Sequence, residues 1–156
     1  MRIAQLSFAV LALTITAPLA AQDAKPPFWG SVKSNEVNMR VGPGEAYRIV
    51  WVYHRPQLPM KVLRTKEGWW LVQDPDGARG WVLGSLMSQR RGAIVQGDGP
   101  ADMREKPDAS SKLKWRLEPG VTGRLGECAD GWCDFSLPTG HQGYVSQDRL
   151  WGAQDF

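Results

Sequence analysis

Behind its N-terminal stretch the chain alternates short apolar runs with turn residues. In Ile49-Val50-Trp51-Val52-Tyr53 and in Leu113-Lys114-Trp115-Arg116-Leu117 the first, third and fifth residues are apolar. That is the period of two expected of a half-buried strand. It predicts that Trp51 and Trp115 pack in the core while the intervening residues face out. Residues 60–65 and 69–73 read as strands flanking Lys66-Glu67-Gly68, a three-residue hairpin connection containing Gly. Residues 121–128 and 132–137 do the same around Ala129-Asp130-Gly131. Pro75-Asp76-Gly77 is a turn in which Pro presets φ and Gly accepts a positive φ. Residues 83–87 and 146–150 each have room for one 3₁₀ turn.

The runs recur in order. Asn38-Met39-Arg40-Val41-Gly42-Pro43 matches Asp102-Met103-Arg104-Glu105-Lys106-Pro107 at a spacing of 64, and the spacing falls to 63 beyond Pro59. There Glu67-Gly68-Trp69 meets Asp130-Gly131-Trp132, and Gly80-Trp81-Val82 meets Gly143-Tyr144-Val145. Such ordered self-similarity marks two copies of one module. Five or so strands in each copy suit a small closed barrel, which removes exposed sheet edges. The chain is therefore expected to be all-β, two small barrels in tandem.

Met1 and Arg2 precede an apolar stretch that Pro18 breaks, and Ala20-Ala21 follow. A basic start, a short apolar core and a small-residue exit describe a signal peptide over residues 1–21, cleaved after Ala21. The stretch is too short and interrupted for a permanent membrane anchor, and no Cys near the exit would carry a lipid. Residues 22–28 read as a linker, 29–88 as the first copy, 89–92 as a short linker and 93–152 as the second copy. So short a connection implies barrels that touch, with Val50 and Val52 covered by the neighbour. Gly 17 and Pro 11 favour turns over long helices, and Trp 8 supplies the apolar area a small core needs. Without Arg2 the balance is 18 basic to 16 acidic residues. That does not call for a nucleic-acid partner or stable membrane insertion.

The two cysteines, Cys128 and Cys133, are separated by Ala-Asp-Gly-Trp. Export permits a disulfide, and the spacing suits strands facing across a tight hairpin. A metal site would need more ligands than two Cys, and neither His54 nor His141 stands at finger spacing. A redox pair would want two residues between the cysteines.

Asn38-x-Arg40-x-Gly42-Pro43, a Trp-bearing strand, Gly68-Trp69-Trp70 after a turn, and Asp76-Gly77-x-x-Gly80-Trp81-Val82 resemble the bacterial SH3-like domain. The stretch Gly80 to Ser88, followed by Arg90-Arg91, is similar to a branch found in exported proteobacterial proteins. Cys128, Gly131-Trp132-Cys133 and Arg149-Leu150-Trp151-Gly152 resemble the second domain of such tandem proteins. The second copy departs at its opening, with Asp102 for Asn38 and Lys106 for Gly42. The resemblance implies two SH3-like β-barrels and a periplasmic or secreted binding or targeting module of the cell envelope. Relatives attached to wall hydrolases hold peptidoglycan peptides. The implied partner is a peptidoglycan peptide or another envelope protein. The rival reading is a structural or inhibitory subunit that packs on a periplasmic protein.

No catalytic pattern or cofactor is indicated. There is no Gly-x-Ser-x-Gly elbow or His-Glu-x-x-His motif, no phosphate-cradling glycine loop, and no His beside either Cys. Asp74 and Asp76 sit in a turn, where Asp is common for backbone reasons. Trp69 and Trp132, each after a hairpin turn, either cover the barrel or line a groove; their retention in both copies favours structure. Arg40 and Arg104 read as packed side chains pairing with a carboxylate or carbonyl. Trp70 is replaced by Cys133, which suggests a position near the surface. Tyr47, Tyr53 and Trp70 become Ser111, Leu117 and Cys133 in the second copy. Those three are the candidates for a first-copy groove, since aromatic clefts suit extended peptides.

Overall fold

The computed structural model describes residues 25–156; the expected signal peptide and its cleavage after Ala21 lie outside the described residues. The first copy comprises β1 (Phe28–Val32), β2 (Val37–Arg40), β3 (Ile49–Tyr53), β4 (Pro59–Lys66), β5 (Trp69–Gln73), β6 (Arg79–Leu83) and β7 (Met87–Ser88). The second repeats it as β8 (Gly92–Val95), β9 (Ala101–Arg104), β10 (Leu113–Leu117), β11 (Thr122–Ala129), β12 (Trp132–Ser136), β13 (Gln142–Ser146) and β14 (Leu150–Trp151). A 3₁₀ turn precedes the last strand of each copy, at Gly84–Leu86 and Gln147–Arg149. Among the described residues no helix is long and apolar enough to cross a membrane.

Each copy is one sheet, ordered β3-β2-β6-β5-β4-β1-β7 and β10-β9-β13-β12-β11-β8-β14. The expected five strands are β2 to β6; β1 and the two-residue β7 extend the ladder, making seven. The ladder does not close. β3 and β10 pair on one side only, so each copy keeps an edge strand. The hairpin connections are shorter than expected. Lys66 pairs with Trp69 and Ala129 with Trp132, leaving two-residue loops. Glu67, Gly68, Asp130 and Gly131 all have positive φ, the requirement of a type I′ turn that matches strand twist.

The cores are built from equivalent positions. Val37, Met39, Val62, Val72 and Val82 fill the first, and Ala101, Met103, Leu125, Phe135 and Val145 the second. Where sizes differ, they compensate. Met60 and Val72 become Gly123 and Phe135, and a methyl added at Gly123 would stand 2.7 Å from the Phe135 ring. The Gly-aromatic-Val motif also has a packing cause. A methyl at Gly80 or Gly143 would come within 2.4 or 2.7 Å of Met39 or Met103, so only Gly lets β6 and β13 cross so close to the core methionines.

The copies touch. Trp29 Nε1 donates to the Gln154 carbonyl at 2.7 Å, its ring packs edge-on against Trp151 at 4.8 Å, and Lys61 lies over both indoles. Arg55 donates to the Gly120 carbonyl and Thr122 to the Pro56 carbonyl. This contact does not involve the outer face of β3, contrary to expectation. Val50 and Val52 are each 38% exposed.

Candidate functional site

The alternation along β3 and β10 misplaces their tryptophans. Trp51 is 60% exposed and Trp115 44%, so neither is a core residue. The physical reason is position in the sheet. Each strand is the last rung, held by one neighbour across a register shift, at Met39/Arg40 in one copy and Leu113/Trp115 in the other. Only the final residue, Tyr53 or Leu117, turns into the core. The two tryptophans then differ. Trp115 stacks on the His141 ring at 4.0 Å, whereas the repeat position of His141 is Ala78 in the first copy. Among the described residues the aromatic contact of Trp51 is with Tyr53, its ring centroid farther off at 6.4 Å.

Beside Trp51 lies a cleft of about 480 Å³. Tyr53 and Leu58 form its floor, Pro56 and Pro75 its walls, and Ile94 of the second copy contributes to one side. Asp74 is buried at its inner end, where its carboxylate accepts from the Tyr53 hydroxyl and the Ala78 N–H, both at 2.8 Å. Burial pushes the Tyr53 phenol well above its ordinary range, and the hydrogen bond and negative charge of Asp74 push it further. Tyr53 is thus a fixed donor. Asp76 and the exposed His54 stand at the rim. Arg55 also lines the cleft, so the result is an aromatic-edged groove of mixed polar and apolar lining with carboxylates at one end, suited to an extended chain carrying hydrogen-bonding groups.

The groove expected from Tyr47, Tyr53 and Trp70 is not assembled, because the three do not converge. Tyr53 is in the cleft, but as its buried floor. Tyr47 is exposed on the β2–β3 loop, its ring so close to Gly42 that a methyl there would be 2.5 Å away. Arg40 ties down that loop by donating to the Glu45 and Tyr47 carbonyls, each at 2.8 Å. In the second copy Arg104 donates to the Ser111 carbonyl at 2.7 Å and pairs with Asp102. Trp70 packs against the first core, edge-on to Phe28 at 5.3 Å and over Gly84, where a methyl would approach its Nε1 to 2.6 Å. Its counterpart Cys133 is fully buried and disulfide-bonded to Cys128, its partner across the β11–β12 hairpin. The Trp-to-Cys exchange thus pairs a half-buried indole lying against the core with a fully buried cysteine. Trp69 and Trp132 are half-buried beside their turns. The residues missed were Trp51, assigned to the core, and Asp74, assigned to turn geometry.

A family model for the bacterial SH3 domain matches residues 33–89 and 97–152. No curated protein matches the chain. Among solved structures, NlpC2 from Trichomonas vaginalis is similar at 12% identity and a TM-score of 0.37, over 83% of this chain and 49% of that one. NlpC1 from the same organism is similar at 14% identity and a TM-score of 0.36, over 87% and 50%. The chain spans about half the length of each. The two family matches lie in tandem, follow the two sheets and together span more than half of the sequence, so the chain belongs to the bacterial SH3 domain family.

Proposed function

We propose that this protein is a non-catalytic binding module of the cell envelope that holds an extended peptide, derived from peptidoglycan, in the cleft of its first barrel. The observation that carries this reading is the contrast between the tryptophans. Trp51, 60% exposed, stands open at the cleft beside the Tyr53–Asp74 pair, whereas Trp115, 44% exposed, has one face against the His141 ring. A large exposed indole beside a shaped, partly acidic groove is a common anchor for a ligand. A disulfide-bonded chain of this family fits a location outside the cytoplasm.

A second reading, docking to an exported protein, is favoured by the free edge of β3 and by exposed Ile49, Val50 and Val52. Pull-down on purified sacculi, compared with pull-down from periplasmic extract, separates the two. Trp51→Ala should weaken the captured interaction roughly tenfold or more while leaving the urea midpoint nearly unchanged, because the indole is exposed. Trp115→Ala serves as control. Retention of wild-type binding by Trp51→Ala would remove the cleft from consideration.

A further inference from the structure

The second barrel carries a separate pocket of about 350 Å³ walled by Trp132 and Tyr144 and edged by Pro107. Glu127, Asp130 and Asp134 also line it, and no lysine or arginine does. Among the described residues none of these carboxylates has a hydrogen-bond or ion-pair partner. Three unneutralised acids around two aromatic rings favour a cation, which gains both from the charges and from the ring faces.

The first barrel shows which cation fits. At the repeat spacing of 63, Glu127 corresponds to Arg64, Asp134 to Leu71 and Tyr144 to Trp81. Strand pairing agrees for the last two, since Leu71 faces Trp81 as Asp134 faces Tyr144. In the first barrel the Arg64 guanidinium lies over the Trp81 ring, 5.3 Å from its centroid, and Trp81 is buried. That barrel fills the place with its own arginine. The second barrel has a carboxylate where the arginine starts and a less covered ring where it would land. It also has Gly126 in place of Leu63, and a methyl there would stand 2.9 Å from the Asp134 carboxylate. The change removes a resident cation, adds two acids and makes room for one of them.

We infer that this pocket binds the guanidinium of an arginine-bearing peptide, seated over Tyr144 and Trp132 and paired with Glu127 and Asp134. A planar guanidinium both stacks and donates bidentately, which a lysine ammonium cannot do. The site is independent of the first-barrel cleft, so either can fail without the other.

The test is an NMR titration of the full, disulfide-bonded chain with acetyl-Gly-Arg-Gly-amide, following the indole N–H signals of Trp132 and Trp51. The neutral citrulline peptide is the control. The expected result is a saturable shift of Trp132 with the arginine peptide and none with citrulline. Glu127→Gln should weaken binding by roughly two- to fivefold, as for loss of one partly exposed ion pair. Glu127→Arg, which restores the first-barrel arrangement, should abolish it. If Glu127→Arg does not fold, the Glu127→Gln titration decides. An equal response to citrulline, a wild-type response in either variant, or a shift confined to Trp51 would overturn the assignment.

Discussion

Tyr53 and Asp74 form a buried polar pair in the first barrel, and the repeat supplies its apolar replacement. At equivalent positions the second barrel has Leu117 and Leu137, on a turn closed by matching backbone bonds, Asp74 N–H to Ala78 and Leu137 N–H to His141. Tyr53→Leu leaves Asp74, 5% exposed, without its phenolic donor. Asp74→Leu leaves a buried hydroxyl whose other neighbour is the weak acceptor Met39 Sδ at 3.8 Å. Orphaning a buried polar group costs about 1–3 kcal/mol, whereas replacing both partners with fitting apolar groups is close to neutral. Each single variant should therefore lose about 2 kcal/mol, and Tyr53→Leu/Asp74→Leu should lose clearly less than the sum, a coupling of about 1–3 kcal/mol. Urea unfolding followed by circular dichroism measures all four proteins. Additive losses in the double variant would refute the reasoning, because the two groups would then be stabilised by something other than each other.

The same pair has a pH signature. A phenol whose folded pKa is raised contributes stability that is present below its unfolded value of about 10 and is lost as pH rises above it. The wild type should accordingly lose more stability between pH 8 and pH 11 than the leucine double variant, as read from urea midpoints. Replacing Cys128 and Cys133 by Ser should cost about 2 kcal/mol through the freed loop, and alkylation of the untreated protein followed by mass spectrometry should label neither thiol. Gly123→Met should destabilise the second barrel by about 1–3 kcal/mol by driving into Phe135. Adding Phe135→Val, which reproduces the first-barrel pair, should restore much of that loss in thermal melts; no rescue would mean that the two sites do not share one volume.

Local signals made the architecture legible. The hairpins, their Gly-bearing turns and the strands Ile49–Tyr53, Trp69–Gln73 and Leu113–Leu117 fall where alternation and turn chemistry place them. These depend on neighbours a few residues away, and the repeat supplies each twice. The disulfide was legible from export and from the close spacing of the cysteines across a hairpin, and the turn, two residues rather than the three expected, sets Cys128 opposite Cys133.

The candidate site was legible only in part. An alternating pattern says that a strand has two faces, but not whether anything lies over the apolar one. Trp51 repeats the pattern of a core residue, yet β3 ends the sheet and its indole stays 60% exposed. Trp70 looked replaceable at a surface, yet it rests on Phe28 and Gly84, from other strands and turns. Asp74 has the sequence context of an ordinary turn residue, and only the fold brings Tyr53, 21 positions away, to donate to it. Strand content, repeat and turn type follow from local backbone preference and pattern, which any short segment carries within itself. Which aromatic is buried, which is open and which acid has a partner depend on strand order and on contacts between segments remote in the chain, and these exist only once the sheet has formed.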